Sequence, residues 1–171
     1  TPRPPSSSSK RPLQAKMPTT RLYRPEDARV FRELNVAWIE RYFGLEAEDR
    51  AQLDDIEAAI LTKGGRAIVA EHDGVVCGTV AVIPLEPGLV ELAKMSVRTD
   101  LQGLGIGKAL IEHAVLEAKR LDARSIWIES NDRLEAAIGL YRKAGFRVLP
   151  RDAWRPTPYD RCNIQLLLDL P

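Results

Sequence analysis

An apolar, β-type run, Leu89–Val97, leads through five intervening residues into Gly103-Leu104-Gly105-Ile106-Gly107-Lys108, and a helical stripe of Ile106, Leu110, Ala114 and Leu121 begins inside those glycines. Strand, glycine turn and helix in immediate succession constrain the chain more than any other feature. Glycine lets the backbone turn tightly and lets a ligand approach with no Cβ in the way. Free N–H groups at a helix N-terminus, aided by the helix dipole, form a site suited to phosphate, and Lys108 adds a positive charge. Two familiar phosphate loops fail against the letters. A Walker A loop needs glycine at position 102 and Ser or Thr at 109, where Gln102 and Ala109 stand; a dinucleotide fingerprint needs glycine at 108, where Lys108 stands. Taken alone, the glycines could also be a tight strand-to-helix turn.

The rest of the chain supplies layers for this unit. Val30, Leu34, Ala37, Trp38 and Arg41 repeat at helical spacing, and Leu53, Ile56 and Ile60 mark a second helix closed by Gly64-Gly65. Ala67–Glu71 and Val75–Ile83 are β-rich and flank His72-Asp73-Gly74, whose Asp-Gly pair predicts a hairpin. Pro84, Pro87 and Gly88 are read as a break before the central strand. After the glycine helix come a strand at Ser125–Glu129, a helix with Leu134, Ala137, Ile138 and Tyr141 on one face, and a cap at Gly145. Phe146–Leu149 and Cys162–Leu168 close the sheet. This order predicts an α/β fold with mixed strands.

Composition narrows the function classes. Residues 1–24 carry six basic residues and no acid, while the whole chain has a net charge of only +1, so the body is slightly acidic and unsuited to nucleic acid. Cys77 and Cys162 form no close pair, and His72 and His113 lack ligand spacing, so neither a disulfide framework nor a metal site is expected. No apolar run reaches membrane-spanning length, and the expected location is the cytoplasm. Residues 1–19 form a basic, Pro/Ser-rich segment expected to be a disordered tail, with Met17 as a candidate natural start, and 20–171 one domain.

Gln102-Gly-Leu-Gly105-Ile-Gly107 resembles the Q/R-x-x-G-x-G/A loop of the GNAT superfamily of N-acetyltransferases. The longer string Glu91-Leu-Ala-Lys-Met95-Ser-Val97 is similar to that superfamily's central strand, and Leu140-Tyr141-Arg-Lys-Ala-Gly145-Phe146 to the end of its second motif. The likeness spans roughly residues 20–170. It implies a mixed, mostly antiparallel central sheet flanked by helices, with a splayed cleft for acetyl-CoA.

It also implies roles. The backbone of Met95, Ser96 and Val97 would pair with the pantetheine arm, and the Met95 N–H would face the thioester oxygen. Gln102, Gly103, Leu104, Gly105, Ile106, Gly107 and Lys108 would receive the pyrophosphate, and Asn131 would touch the pantetheine arm or simply form a turn before the next helix. Tyr141 would be the general acid, or a core tyrosine on the apolar stripe of its helix. Glu91 would be the general base, or a structural carboxylate paired with Lys94 or Arg98 with a water chain taking the proton instead. The expected reaction moves acetyl from acetyl-CoA directly to a primary amine of a small molecule or amino acid. The alternatives are a peptide or protein acceptor and a non-catalytic acetyl-CoA sensor. Acceptor recognition is expected from Trp38, Tyr42 and Phe43 and from the segment Trp154–Arg161 with its Tyr159; Asp152, Arg155, Asp160 and Arg161 would bind an amino acid or polyamine end or simply belong to a solvated loop. A homodimer is one expected state, since similar proteins often form one.

Overall fold

The computed structural model describes residues 16–171. Seven strands form one sheet in the order β1-β2-β3-β4-β5-β7-β6. They are β1 (Thr19–Leu22), β2 (Arg66–His72), β3 (Val75–Glu86), β4 (Leu89–Val97), β5 (Ser125–Ser130), β6 (Arg147–Val148) and β7 (Ile164–Asp169). Every neighbouring pair is antiparallel except β4 and β5. Among the described residues four α-helices cover the sheet: α1 (Ala28–Tyr42), α2 (Ala47–Leu53), α3 (Ile106–Arg120) and α4 (Glu135–Lys143). This is the α/β architecture with mixed strands that the element order predicts, and the mostly antiparallel sheet that the family resemblance implies.

The central strands are apolar on both sides because both faces are covered. Ile68, Val80, Val82 and Leu92 pack with Leu110, Ile138 and Phe146 under α3 and α4. Ala67, Val69 and Ala81 pack with Phe31, Ile39 and Leu53 under α1 and α2. The Asp-Gly hairpin forms as expected, with Asp73 and Gly74 at φ 51° and 76°, the left-handed pair a tight turn between antiparallel strands requires.

Two expectations are corrected, and one strand is added to those expected. Thr19–Leu22, at the start of the expected domain, is an edge strand, held by four register pairs to β2 rather than by apolar burial. Arg21 secures it through Asp27 (2.7 and 3.0 Å) and Glu71 (2.7 Å). The tail expected at residues 1–15 lies outside the described residues. The second helix is two pieces, because Asp55 caps the Ala58 N–H at 3.0 Å and restarts the chain in a single π-helical turn, Glu57–Leu61. Finally, β3 runs through Pro84 to Glu86. The proline, which has no N–H to give, sits at a register irregularity.

Candidate active site

Two local devices open a cleft in the middle of the sheet. The first is the end of pairing between β4 and β5. They are in parallel register only over Leu89–Glu91 and Ser125–Trp127; β5 then continues beside β7, and the β5-facing edge of β4 is left free. The second is a bulge in β4. Ala93 faces Ala81 and Ser96 faces Thr79, so β4 carries one residue more than β3 across this step. Lys94 occupies it in a left-handed conformation, φ 53°, at a cost of about 1–2 kcal/mol for a residue with a Cβ. The cleft between the diverging strands has a volume of about 1110 Å³.

The glycine loop stands at the end of β4. Gly103 and Gly105 have φ of 85° and 80°, and Gly105 is the N-cap of α3. A Cβ at either position would meet nothing, so their surfaces are open. Gly78, opposite Val97, brings α3 down onto the sheet: a Cβ there would lie 2.9 Å from Leu110 and 3.2 Å from the Ser96 carbonyl. We therefore expect Gly78→Val to overpack this contact and cost ~1–3 kcal/mol, read as a thermal transition lowered by several degrees.

The structure gathers most residues singled out from sequence. Met95, Ser96, Val97, Gln102, Gly103, Gly105, Ile106, Gly107, Lys108, Asn131 and Tyr141 all line the cleft. Leu104 does not; it points outward at 47% exposure. Ser96 Oγ is committed to the Leu34 carbonyl on α1 at 3.0 Å. Asn131 spends its amide on the chain, accepting from the Arg133 N–H at 2.9 Å and donating to the Arg161 carbonyl at 2.7 Å. Tyr141 is 4% exposed and stacks at a tilt on Phe146, and burial pushes its phenol above the ordinary value.

Glu91 does not line the cleft, whereas Glu129 does. The two carboxyls interact where β4 and β5 part. Burial, then the nearby charge of Glu129, pushes Glu91 up to about 8 while Lys94 pulls it down. Burial likewise raises Glu129, against the pull of Thr157, Glu91, Lys94 and Arg161. Its Oε2 is sealed from water without a hydrogen-bond partner among the described residues, a condition that a proton or a cation would relieve. Neither expected ion pair of Glu91 forms: Arg98 pairs with Asp100 at 2.7 Å and Lys94 with Asp49 at 3.3 Å.

Sequence reading also missed the charged hub across the cleft. Asp49, fully buried, accepts both Arg161 Nη atoms at 2.6 and 2.7 Å and the Lys94 ammonium. Arg161 lies over Tyr159 at 4.4 Å, with Trp38 and Phe43 each 5.8 Å away. Of the expected acceptor segment, Tyr159 and Arg161 reach the cleft. Trp154 instead donates to the Leu149 carbonyl and Arg155 pairs with Glu86.

The model of the acetyltransferase (GNAT) family matches residues 29–146, more than half of the chain. The chain belongs to the GNAT family. Among curated relatives, the uncharacterised N-acetyltransferase YjgM of Escherichia coli is 27% identical over 154 residues, 85% of this chain and 89% of that protein. The uncharacterised N-acetyltransferase YvbK of Bacillus subtilis is 34% identical over 71 residues, and the match spans about half of it, 46%. Among solved structures, a GNAT family acetyltransferase from Staphylococcus aureus superposes with a TM-score of 0.81 at 23% identity, covering 90% of this chain and 99% of that one. One from Brucella melitensis, in complex with acetyl-CoA, gives 0.65 at 26% identity, covering 90% and 91%. This GNAT chain is thus an acyltransferase. Among its described residues no helix is long and apolar enough to cross a membrane, and no cluster of ligating side chains could hold a metal ion.

Proposed function

We propose that the cleft binds acetyl-CoA and that the acetyl group passes directly to a primary amine of a small molecule or amino acid. The observation that carries this reading is the divergence of β4 from β5 after Glu91 and Trp127, with a glycine-capped helix following β4 and a carboxyl pair where the strands part. The open surfaces of Gly103 and Gly105 suit a pyrophosphate on residues 102–108. The free edge of β4 suits an extended pantetheine arm along Met95–Val97. The Brucella relative, which holds acetyl-CoA, supports the same choice of donor.

When bound, acetyl-CoA supplies a thioester-activated acetyl group. The Met95 N–H, beside the bulge, donates to the thioester oxygen as negative charge develops there. An ammonium of pKa about 10.4 leaves roughly one amine in a thousand free at pH 7, so the acceptor must lose a proton before it attacks. The Glu91–Glu129 pair receives it, with Glu129 as the member that faces the cleft. Tyr141, kept protonated by burial, gives its proton to the departing thiolate.

Tyr141→Phe is expected to lower kcat by about a hundredfold with the acetyl-CoA Kd unchanged, as read by steady-state kinetics beside calorimetry; undiminished turnover would remove the acid role. Transfer assays against amines, amino acids and peptides test the acceptor class. Turnover of small amines or amino acids is expected, and turnover of peptides alone would contradict it.

A further inference from the structure

The bulge in β4 rests on a strained residue that is anchored at both its carbonyl and its ammonium. The Lys94 carbonyl accepts from Thr79 Oγ1 at 2.7 Å. Asn35 Nδ2 donates to that same Oγ1 at 2.9 Å and to the Phe31 carbonyl on α1, also at 2.9 Å. Thr79 and Asn35 are fully buried. At the other end, the Lys94 ammonium donates to Asp49 Oδ1 at 3.3 Å and to the Tyr159 hydroxyl at 3.2 Å. Asp49 is fixed in turn by Arg161 and by the Glu46 N–H at 3.0 Å, which belongs to the cap of α2. The Lys94 side chain is therefore pinned between α2 and the segment before β7.

A residue with a Cβ stays in the left-handed region only where its surroundings over-determine it. Lys94 has φ 53° where β4 slips its register against β3, immediately before Met95. A bulge re-aims the backbone next to it, so the orientation of the Met95 peptide depends on what holds Lys94.

We propose that the buried Asp49–Lys94 pair is a latch that holds the β4 bulge in register, making both residues positioning residues for acetyl transfer at Met95. The proposal rests on the acetyl-CoA reading of the cleft. The latch ties acceptor-side elements, α2 and the β7 approach, to the strand that orients the thioester. Neither residue gains or loses a proton in the reaction.

Two substitutions at one position separate strain from charge. Lys94→Met keeps a side chain of similar reach and the left-handed strain but loses the latch. Lys94→Gly loses the latch and the strain together, because glycine adopts positive φ freely. In both, Asp49 remains paired with Arg161, so no buried carboxylate is left without a partner. Lys94→Met is expected to lower kcat by about ten- to a hundredfold, the scale of a small misplacement of a reacting group, with the acetyl-CoA Kd from calorimetry little changed. Lys94→Gly is expected to recover most of the lost kcat.

Equal losses in both folded variants would overturn the latch, since the ammonium itself would then be needed. Full activity in Lys94→Met would overturn it as well. If Lys94→Met does not fold, Lys94→Ala and Lys94→Asn provide the same contrast, because asparagine enters the left-handed region more readily than alanine. The wild type is titrated with acetyl-CoA first, and failure to bind there would strike the functional reading rather than the latch.

Discussion

Glu129→Gln is expected to lower kcat by about 10²–10⁴-fold at neutral pH, while Glu91→Gln keeps kcat near that of the wild type. The asymmetry follows from where the two carboxyls sit. Glu91 is 9% exposed and does not reach the cleft, whereas Glu129 lines it. Two carboxyls in contact cannot both ionise readily in a buried setting, and the one pushed up to about 8 is Glu91. Below that pH burial and the neighbouring carboxyl favour the neutral form of Glu91, which leaves Glu129 as the proposed acceptor of the amine's proton. A glutamine at 91 presents a neutral donor much as protonated Glu91 does, so the base survives. A glutamine at 129 removes it.

The pH dependence separates the two variants further. A raised carboxyl pKa means that the neutral form persists until the pH climbs through that value, so ionisation of Glu91 sets in near pH 8. Above it the pair holds two negative charges, attracts the ammonium more strongly and is the better base. Wild-type kcat/KM is therefore expected to rise through about pH 8, and Glu91→Gln to lack that rise. Equal losses of kcat in the two variants, or a Glu91→Gln profile that follows the wild type through this range, would contradict the assignment.

What was legible in the sequence was what is local in it. The glycine loop, the central strand before it and Tyr141 on its helical stripe are contiguous patterns, and each lies on the cleft. The edge strand Thr19–Leu22 was missed because backbone pairing holds it and its letters show no apolar alternation. The hub was missed for a different reason. Asp49 meets Lys94 and Arg161 across separations of 45 and 112 positions, and nothing near Asp49 in the chain marks it as buried. Glu129 shows the limit most clearly. It lies on a strand already expected, and only the parting of β5 from β4 places it on the wall of the cleft. The contacts of Trp154 and Arg155 were not legible either, because they are made with residues distant in the chain, Arg155 lying over Trp127 at 5.9 Å.

The second large effect is expected at Gly105. Its φ of 80° caps α3, and its surface is open. Gly105→Ala adds only backbone strain, about 1–2 kcal/mol, and should weaken acetyl-CoA binding modestly. Gly105→Glu adds the same strain and also places a carboxylate where the pyrophosphate is proposed to sit. Like charges at such a site repel strongly when water is partly excluded, so binding should fall by far more than in the alanine variant. The contrast between the two substitutions isolates charge from conformation.

The most direct measurement is calorimetric titration of acetyl-CoA into the wild type and into Gly105→Glu. Saturable binding by the wild type that the glutamate abolishes is the result predicted here. No binding by the wild type at millimolar ligand, or equal affinity in the two proteins, would contradict the placement of the donor on this loop.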